Sequence, residues 1–177
     1  MRKILIINAV LILFGFTIQQ AEFTDKVYKK LDKTISKLWP EKEVHRKAMQ
    51  INDKELGFQV SPNSLFKLMD ADNHLVGYAY LDKANSKSAK IDYVVFFDKN
   101  LKIIYTQVLI YREEYGGEIG SNRWLKQFYG KYNGTGMEFQ KDIQNISGAT
   151  ISSRNITNAI KKLSQRIVIL QQKGLLK

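Results

Sequence analysis

Between residues 23 and 38, the apolar residues Val27, Leu31, Ile35 and Leu38 recur at helical spacing against a face of lysines. That period predicts an amphipathic helix, limited by Pro40. Val44 and Met49 suggest a second, short helical segment over about 41–50. From Ser64 the period changes. Leu65–Met69 and Leu75–Leu81 flank Asp70–His74, and Lys90–Phe97 and Leu101–Ile110 flank Asp98–Lys99–Asn100. Both pairs are rich in β-branched and aromatic residues, so each reads as a hairpin. Four antiparallel strands in a meander are the simplest arrangement. Gly116–Gly120 then breaks the pattern, and Asn122 is placed to cap a short helix through Phe128. After a loop over Gly130–Gly136, Ile156, Ala159, Ile160, Leu163, Ile167 and Leu170 form one stripe of a long final helix closed by Gly174. The expected class is α+β: an antiparallel sheet of about four strands with helices on one face, plus an N-terminal helical extension that either packs on the domain or forms a stalk.

The 177 residues, 44% hydrophobic, suffice for one domain with a core. Met1–Arg2–Lys3 precedes an apolar run, Ile4 to Ile18, too short for a comfortable membrane span and suited to a signal peptide. Residues 1–21 are therefore expected to be a signal peptide or membrane anchor, residues 22–60 a helical extension and residues 61–177 the main domain. The bulk of the chain is expected outside the cytoplasm. The chain has no cysteine, which removes disulfides, a lipid-bearing cysteine, thiolate metal ligands and thiol nucleophiles. A formal charge of +11 is compatible with an anionic surface. The basic residues are scattered and no nucleic-acid motif accompanies them, so anionic lipid headgroups are the better match.

Ser147–Gly148–Ala149–Thr150, followed by Ile151–Ser152–Ser153, puts a compact turn flanked by hydroxyls at the start of the final helix. Unpaired N–H groups and the helix dipole favour a phosphate there. The plainer alternative is that Ser147 or Thr150 is an ordinary N-cap. Gly116–Gly117–x–x–Gly120 is neither a P-loop nor a dinucleotide fingerprint, and reads equally as a relaxed strand-to-helix turn or a ligand-facing loop. Tyr115 beside it is a candidate stacking residue. Arg112 and Glu113 are candidates for a solvent-exposed pair. Trp124 and Phe128, four apart, are most simply core anchors. His45 and His74 are far apart in polar contexts, which points to surface residues and no metal site. No Gly-x-Ser-x-Gly elbow or activating histidine accompanies the serines, which argues against a hydrolase.

The Ser147–Ser153 motif resembles the flavinylation motif of the FMN-binding domain family, which includes the C subunit of sodium-translocating NADH:quinone oxidoreductases and the G subunit of Rnf complexes. Val76–Ala79, Ile91–Tyr93, the Arg112–Gly120 loop and Trp124–Phe128 follow in the family's order, so the similarity spans about residues 64–165. Two positions depart from the family: Gln144 stands where an Asp is usual, and Tyr111–Gly117 replaces a His-Glu-Thr-Pro-Gly loop. The resemblance implies FMN carried covalently on Thr150 through a phosphoester, attached by a flavin transferase that uses FAD as donor and needs a divalent metal. It implies that the Gly116–Gly117 loop lies against the flavin; Ser147, Gly148 and Ala149 shape the turn, Ser147 and Ser152 are able to donate to the phosphate, and Tyr115 is a candidate for stacking on the ring. The implied role is an electron-transfer flavoprotein, more a subunit of a membrane-associated redox chain than a stand-alone enzyme, in the periplasm, secreted or held at the inner membrane. A noncatalytic extracytoplasmic binding or assembly module without covalent flavin is the alternative, and a basic domain for anionic surfaces a third.

Overall fold

A computed structural model describes residues 23–51 and 56–176. The expected leader, residues 1–21, lies outside the described residues. The chain runs α1 (Asp25–Leu38), β1 (Val44–Ala48), β2 (Leu65–Asp70), β3 (Leu75–Asn85), β4 (Lys90–Phe97), β5 (Ile103–Ile110), a short helical stretch over 117–128 that includes α2 (Asn122–Leu125), and α3 (Thr150–Gln172). The five strands form one antiparallel sheet in the order β1-β2-β3-β4-β5. The α+β class and the meander are as expected, with one strand more.

That extra strand corrects the helix expected over 41–50. Val44–Ala48 pairs antiparallel with β2, Val44 opposite Asp70 and Ala48 opposite Phe66. The Arg46 guanidinium lies 5.1 Å from the Tyr28 ring centroid and 4.9 Å from that of Phe66, and its Nε donates to Asp32 of α1 at 2.6 Å. Cross-element contacts thus fix a segment whose local pattern is weak.

Alternation along the strands sends side chains to two cores. Ile91, Tyr93, Val95 and Phe97 of β4 face a core shared with Ile156, Ile160, Leu163 and Ile167 of α3, while Val94 and Phe96 face the other. There Phe23, Val27, Leu31 and Ile35 bring α1 onto the sheet beside Phe66, Leu68, Ala79 and Leu81. The N-terminal helix packs on the domain, and helices cover both faces of the sheet instead of one. At the far end of α3, Gly174 (φ 70°) lets Leu175 N donate to Leu170 O and Gly174 N to Gln171 O, closing the helix as expected.

Two packing details position the loops. Gly77 lies so close to the β4 end that an added Cβ would sit 2.2 Å from Phe97 O. The β3–β4 ladder runs on to Asn85 opposite Lys90, carrying the 86–89 turn to the sheet end where β5 exits.

Candidate functional site

The start of α3 is the centre of the site. Its N-cap is Ala149 (φ −131°, ψ 32°), which offers no side-chain acceptor. Neither Ser147 nor Thr150 caps the helix, so the plain capping alternative does not describe this helix start. Thr150 is the first helical residue and is exposed. Gly148 adopts φ 76° with nothing within 4 Å of where a Cβ would stand. A left-handed glycine next to an open helix start leaves first-turn N–H groups uncovered on the side that faces solvent. Ser152 is 3% exposed, and its hydroxyl has no hydrogen-bond partner among the described residues.

These groups open on a cleft of about 870 Å³, lined on one side by Gly148–Ser152 and on the other by Tyr111–Tyr115, with Lys87 and Ser88 from the β3–β4 turn. The facing loop is tied down at several points. Gly116 (φ 78°) presses against the motif, since a Cβ there would lie 2.4 Å from Ala149 Cβ. The Tyr111 hydroxyl donates to Tyr115 O at 2.8 Å. Arg112 and Glu113 do not pair with each other. Arg112 Nη2 donates to Asp92 Oδ2 at 2.7 Å and Nη1 to Lys90 O at 2.6 Å, which fixes the guanidinium plane at the cleft wall. Asp92 is 2% exposed, and its Oδ1 has no partner among the described residues. Glu113 accepts from the Ser86 hydroxyl, from Ser88 N at 2.8 Å and from Ser88 Oγ at 2.8 Å. These bonds, the Ser86 hydroxyl foremost, hold its carboxyl down to about 2.

Apolar surface is concentrated here. Tyr115 is 79% and Ile151 53% exposed, and both line the cleft. An uncovered helix N-terminus, an unpartnered hydroxyl and exposed apolar side chains suit an anionic phosphate joined to a flat ring system, while the lining charges Lys87 and Arg112 are matched by Glu113 and Glu114.

Of the residues singled out in the sequence, Tyr115, Gly148, Ala149, Thr150 and Ser152 line this cleft. Gly116 stands behind it as the contact point between the two loops, and Gly117 opens the following short helix with no near neighbour to a Cβ. Ser147 lies on an adjoining depression with Gln144 and Asn145. The Trp124–Phe128 segment supports the motif from below: Trp124 Nε1 donates to Gln144 O at 2.7 Å, and Gln144 N donates to Gln127 Oε1 at 2.8 Å. Trp124 and Phe128 stack edge-on at 5.5 Å in the core. The cap of α2 is Ser121, whose hydroxyl accepts from Trp124 N at 3.3 Å; Asn122 instead accepts from the Tyr129 hydroxyl. Lys87 and Ser88 join the site without a sequence signal of their own, and Ile151 and Glu114 join it from within the motif and the facing loop.

The exposed His74 does have carboxylate neighbours. The β2–β3 turn brings Asp70, Asp72 and His74 together, with one ligand atom of each within 4.8 Å of the others. Asp70 Oδ1 already accepts from Asp72 N and His74 N, so the turn itself uses that oxygen.

The geometry defines an α+β domain with a phosphate-type helix start at the mouth of a cleft. The family model of the FMN-binding domain, the family that the motif resembles, matches residues 87–165. The matched stretch runs from the β3–β4 turn through α3 to Gln165 and so includes every residue lining the cleft. The domain has a flavin-binding role. No curated protein matches the chain.

Proposed function

We propose that the protein is an exported flavoprotein that carries FMN on Thr150 through a phosphoester and relays electrons within a membrane-associated redox chain. The observation that carries this reading is the placement of Thr150: an exposed hydroxyl on the first residue of a 23-residue helix whose cap residue supplies no acceptor, at the lip of the cleft. Bound FMN supplies the redox chemistry, and the chain supplies attachment, orientation and electrostatics. N–H groups at the start of α3 and the Ser152 hydroxyl hold the phosphate charge, and Gly148 keeps side-chain atoms away from it. Tyr115 and Ile151 offer apolar surface to the ring, and the Arg112 guanidinium, fixed by Asp92, forms part of the cleft wall. Attachment in trans by a flavin transferase, with FAD as donor, belongs to the same reading.

Membrane association is supported by α1. Lys26, Lys29, Lys33 and Lys37 fall at i, i+3, i+7 and i+11 and form one exposed stripe beside Lys30, whose ammonium donates to Leu109 O, and they follow closely on the apolar run Ile4–Ile18. Such a stripe suits anionic headgroups. No described helix is long and apolar enough to cross a membrane.

The test is intact mass after denaturation, on protein exported from a cell that has a flavin transferase. Wild type gains roughly 438 Da, one FMN less water, and Thr150→Val gains nothing. An unmodified wild-type mass with no released flavin refutes the reading and leaves a noncatalytic binding or assembly module.

A further inference from the structure

Resting on the attachment reading above, we infer that Asn145, locked by Ser153, is the positioning residue that presents the Thr150 hydroxyl for attachment. Asn145 Nδ2 donates to Thr150 Oγ1 at 3.1 Å, and Ser153 Oγ donates to Asn145 Oδ1 at 2.9 Å. Ser153 is fully buried one turn into α3, whereas Thr150 and Asn145 are exposed. The order of the three groups has a chemical consequence. A hydroxyl has one proton to give and lone pairs to receive. By donating to Thr150 Oγ1, the amide occupies one lone pair of that oxygen, so its proton and the other lone pair remain for other partners. An amide on its own flips freely between its oxygen and its nitrogen. The Ser153 proton removes that freedom by bonding the oxygen end, which leaves the nitrogen end for Thr150. Ser153 Oγ also lies 2.9 Å from Ala149 O and 3.2 Å from Thr150 O, carbonyls that compete for its single proton, and the assignment takes Asn145 Oδ1 as the acceptor.

The step it serves is a transfer between oxygens. The Thr150 Oγ1–phosphorus bond forms, the phosphorus–oxygen bond to the adenylate half of FAD breaks, AMP leaves, and the Thr150 proton passes to the transferase or to solvent. No redox change occurs. Asn145 does not touch FAD in this assignment; it holds one rotamer of the nucleophile, which is an orientation effect.

The experiment uses full-length chain made without transferase, then incubated with purified transferase, FAD and a divalent metal. FMN adduct is followed by intact mass over time at several chain concentrations. Asn145→Ala is expected to lower kcat about tenfold, the loss of one orienting hydrogen bond, with KM for the chain and the unfolding midpoint little changed. Ser153→Ala is expected to lower kcat by about threefold, because the amide is freed and not removed. In the double variant the two losses do not multiply, since Ser153 acts through Asn145. A wild-type rate in Asn145→Ala, multiplying losses in the double variant, or a rate loss that follows a fall in stability would each overturn the assignment. Wild type that gains no mass overturns the attachment reading itself, and this inference with it.

Discussion

Three glycines at the site look alike in sequence and differ in what surrounds them, which makes Gly→Ala substitutions a graded test of the cleft. At Gly117 the backbone is ordinary and no atom lies within 4 Å of a new Cβ. Alanine there is expected to change stability by less than about 0.5 kcal/mol. At Gly148, φ is 76° but the space is open, so only the left-handed penalty applies. That penalty is about 1–2 kcal/mol, offset in part by about 0.4–1 kcal/mol from a less flexible unfolded chain. At Gly116 the same backbone penalty (φ 78°) is joined by a contact of 2.4 Å with Ala149 Cβ and one of 3.2 Å with Tyr111 Oη. Ala149 Cβ has no side-chain torsion to move it aside and Ala149 is only 6% exposed, while the Tyr111 hydroxyl is held by its bond to Tyr115 O. Relieving the overlap adds about 1–3 kcal/mol of overpacking. The expected total for Gly116→Ala is therefore about 1–4.5 kcal/mol, larger than for Gly148→Ala by the overpacking. Urea unfolding followed by tryptophan fluorescence measures the series, because Trp124 is buried beneath the motif. Gly116→Ala no worse than Gly148→Ala would show that the two loops do not meet at Ala149, and the cleft as described would be wrong.

The Glu113 latch makes a pH prediction. Its carboxyl is held near 2 in the folded chain, below the ordinary 4.5, so its stabilisation is complete above about pH 4.5 and is lost as pH falls towards 2. Urea midpoints of wild type should fall across that window, and Glu113→Gln should show a smaller fall; equal slopes would contradict the latch. For the lysine stripe, Lys26→Gln, Lys29→Gln and Lys33→Gln combined, in a chain beginning at Glu22, should weaken partition onto anionic vesicles by about 3 kcal/mol, roughly 100-fold, from about 1 kcal/mol per lysine. Co-sedimentation at low salt measures it. Binding that is indifferent to these changes and to added salt would remove α1 as a membrane-facing surface.

The fold was legible where burial imposes a period. β4 shows it: with both sheet faces covered, every residue from Ile91 to Phe97 is buried, and the run reads as a strand whatever its neighbours do. β1 shows the converse. Val44 and Met49 are five apart, which suits neither a helix nor a strand, and the segment is exposed along most of its length. It becomes a strand because β2 offers a free edge and Arg46 bridges to Asp32, Tyr28 and Phe66, contacts that no local window contains. The polar end of β3 was hidden for a similar reason. Asp82–Asn85 has no apolar alternation, yet it pairs with Lys90–Tyr93 and carries the 86–89 turn to the cleft.

At the site, the tetrapeptide located Thr150 but not the residue that caps its helix. Asp or Ser at the cap would stabilise α3 by about 1 kcal/mol over Ala. Ala149 forgoes that, and two features of the structure show what the small apolar side chain does instead. It is the surface on which Gly116 rests, where a larger side chain would drive the two loops apart. It also brings no oxygen to the first-turn N–H groups, so these stay open towards the cleft. The same logic explains why the hydroxyls around the motif divide their work. Ser153, buried, is tied to Asn145 and the helix start, whereas Ser152 faces the cleft without a partner. Adjacent residues on a helix point about 100° apart, so a Ser–Ser pair is able to serve both sides of the turn at once. A sequence shows two serines; only the helix phase separates the one that braces the nucleophile from the one left to meet the phosphate.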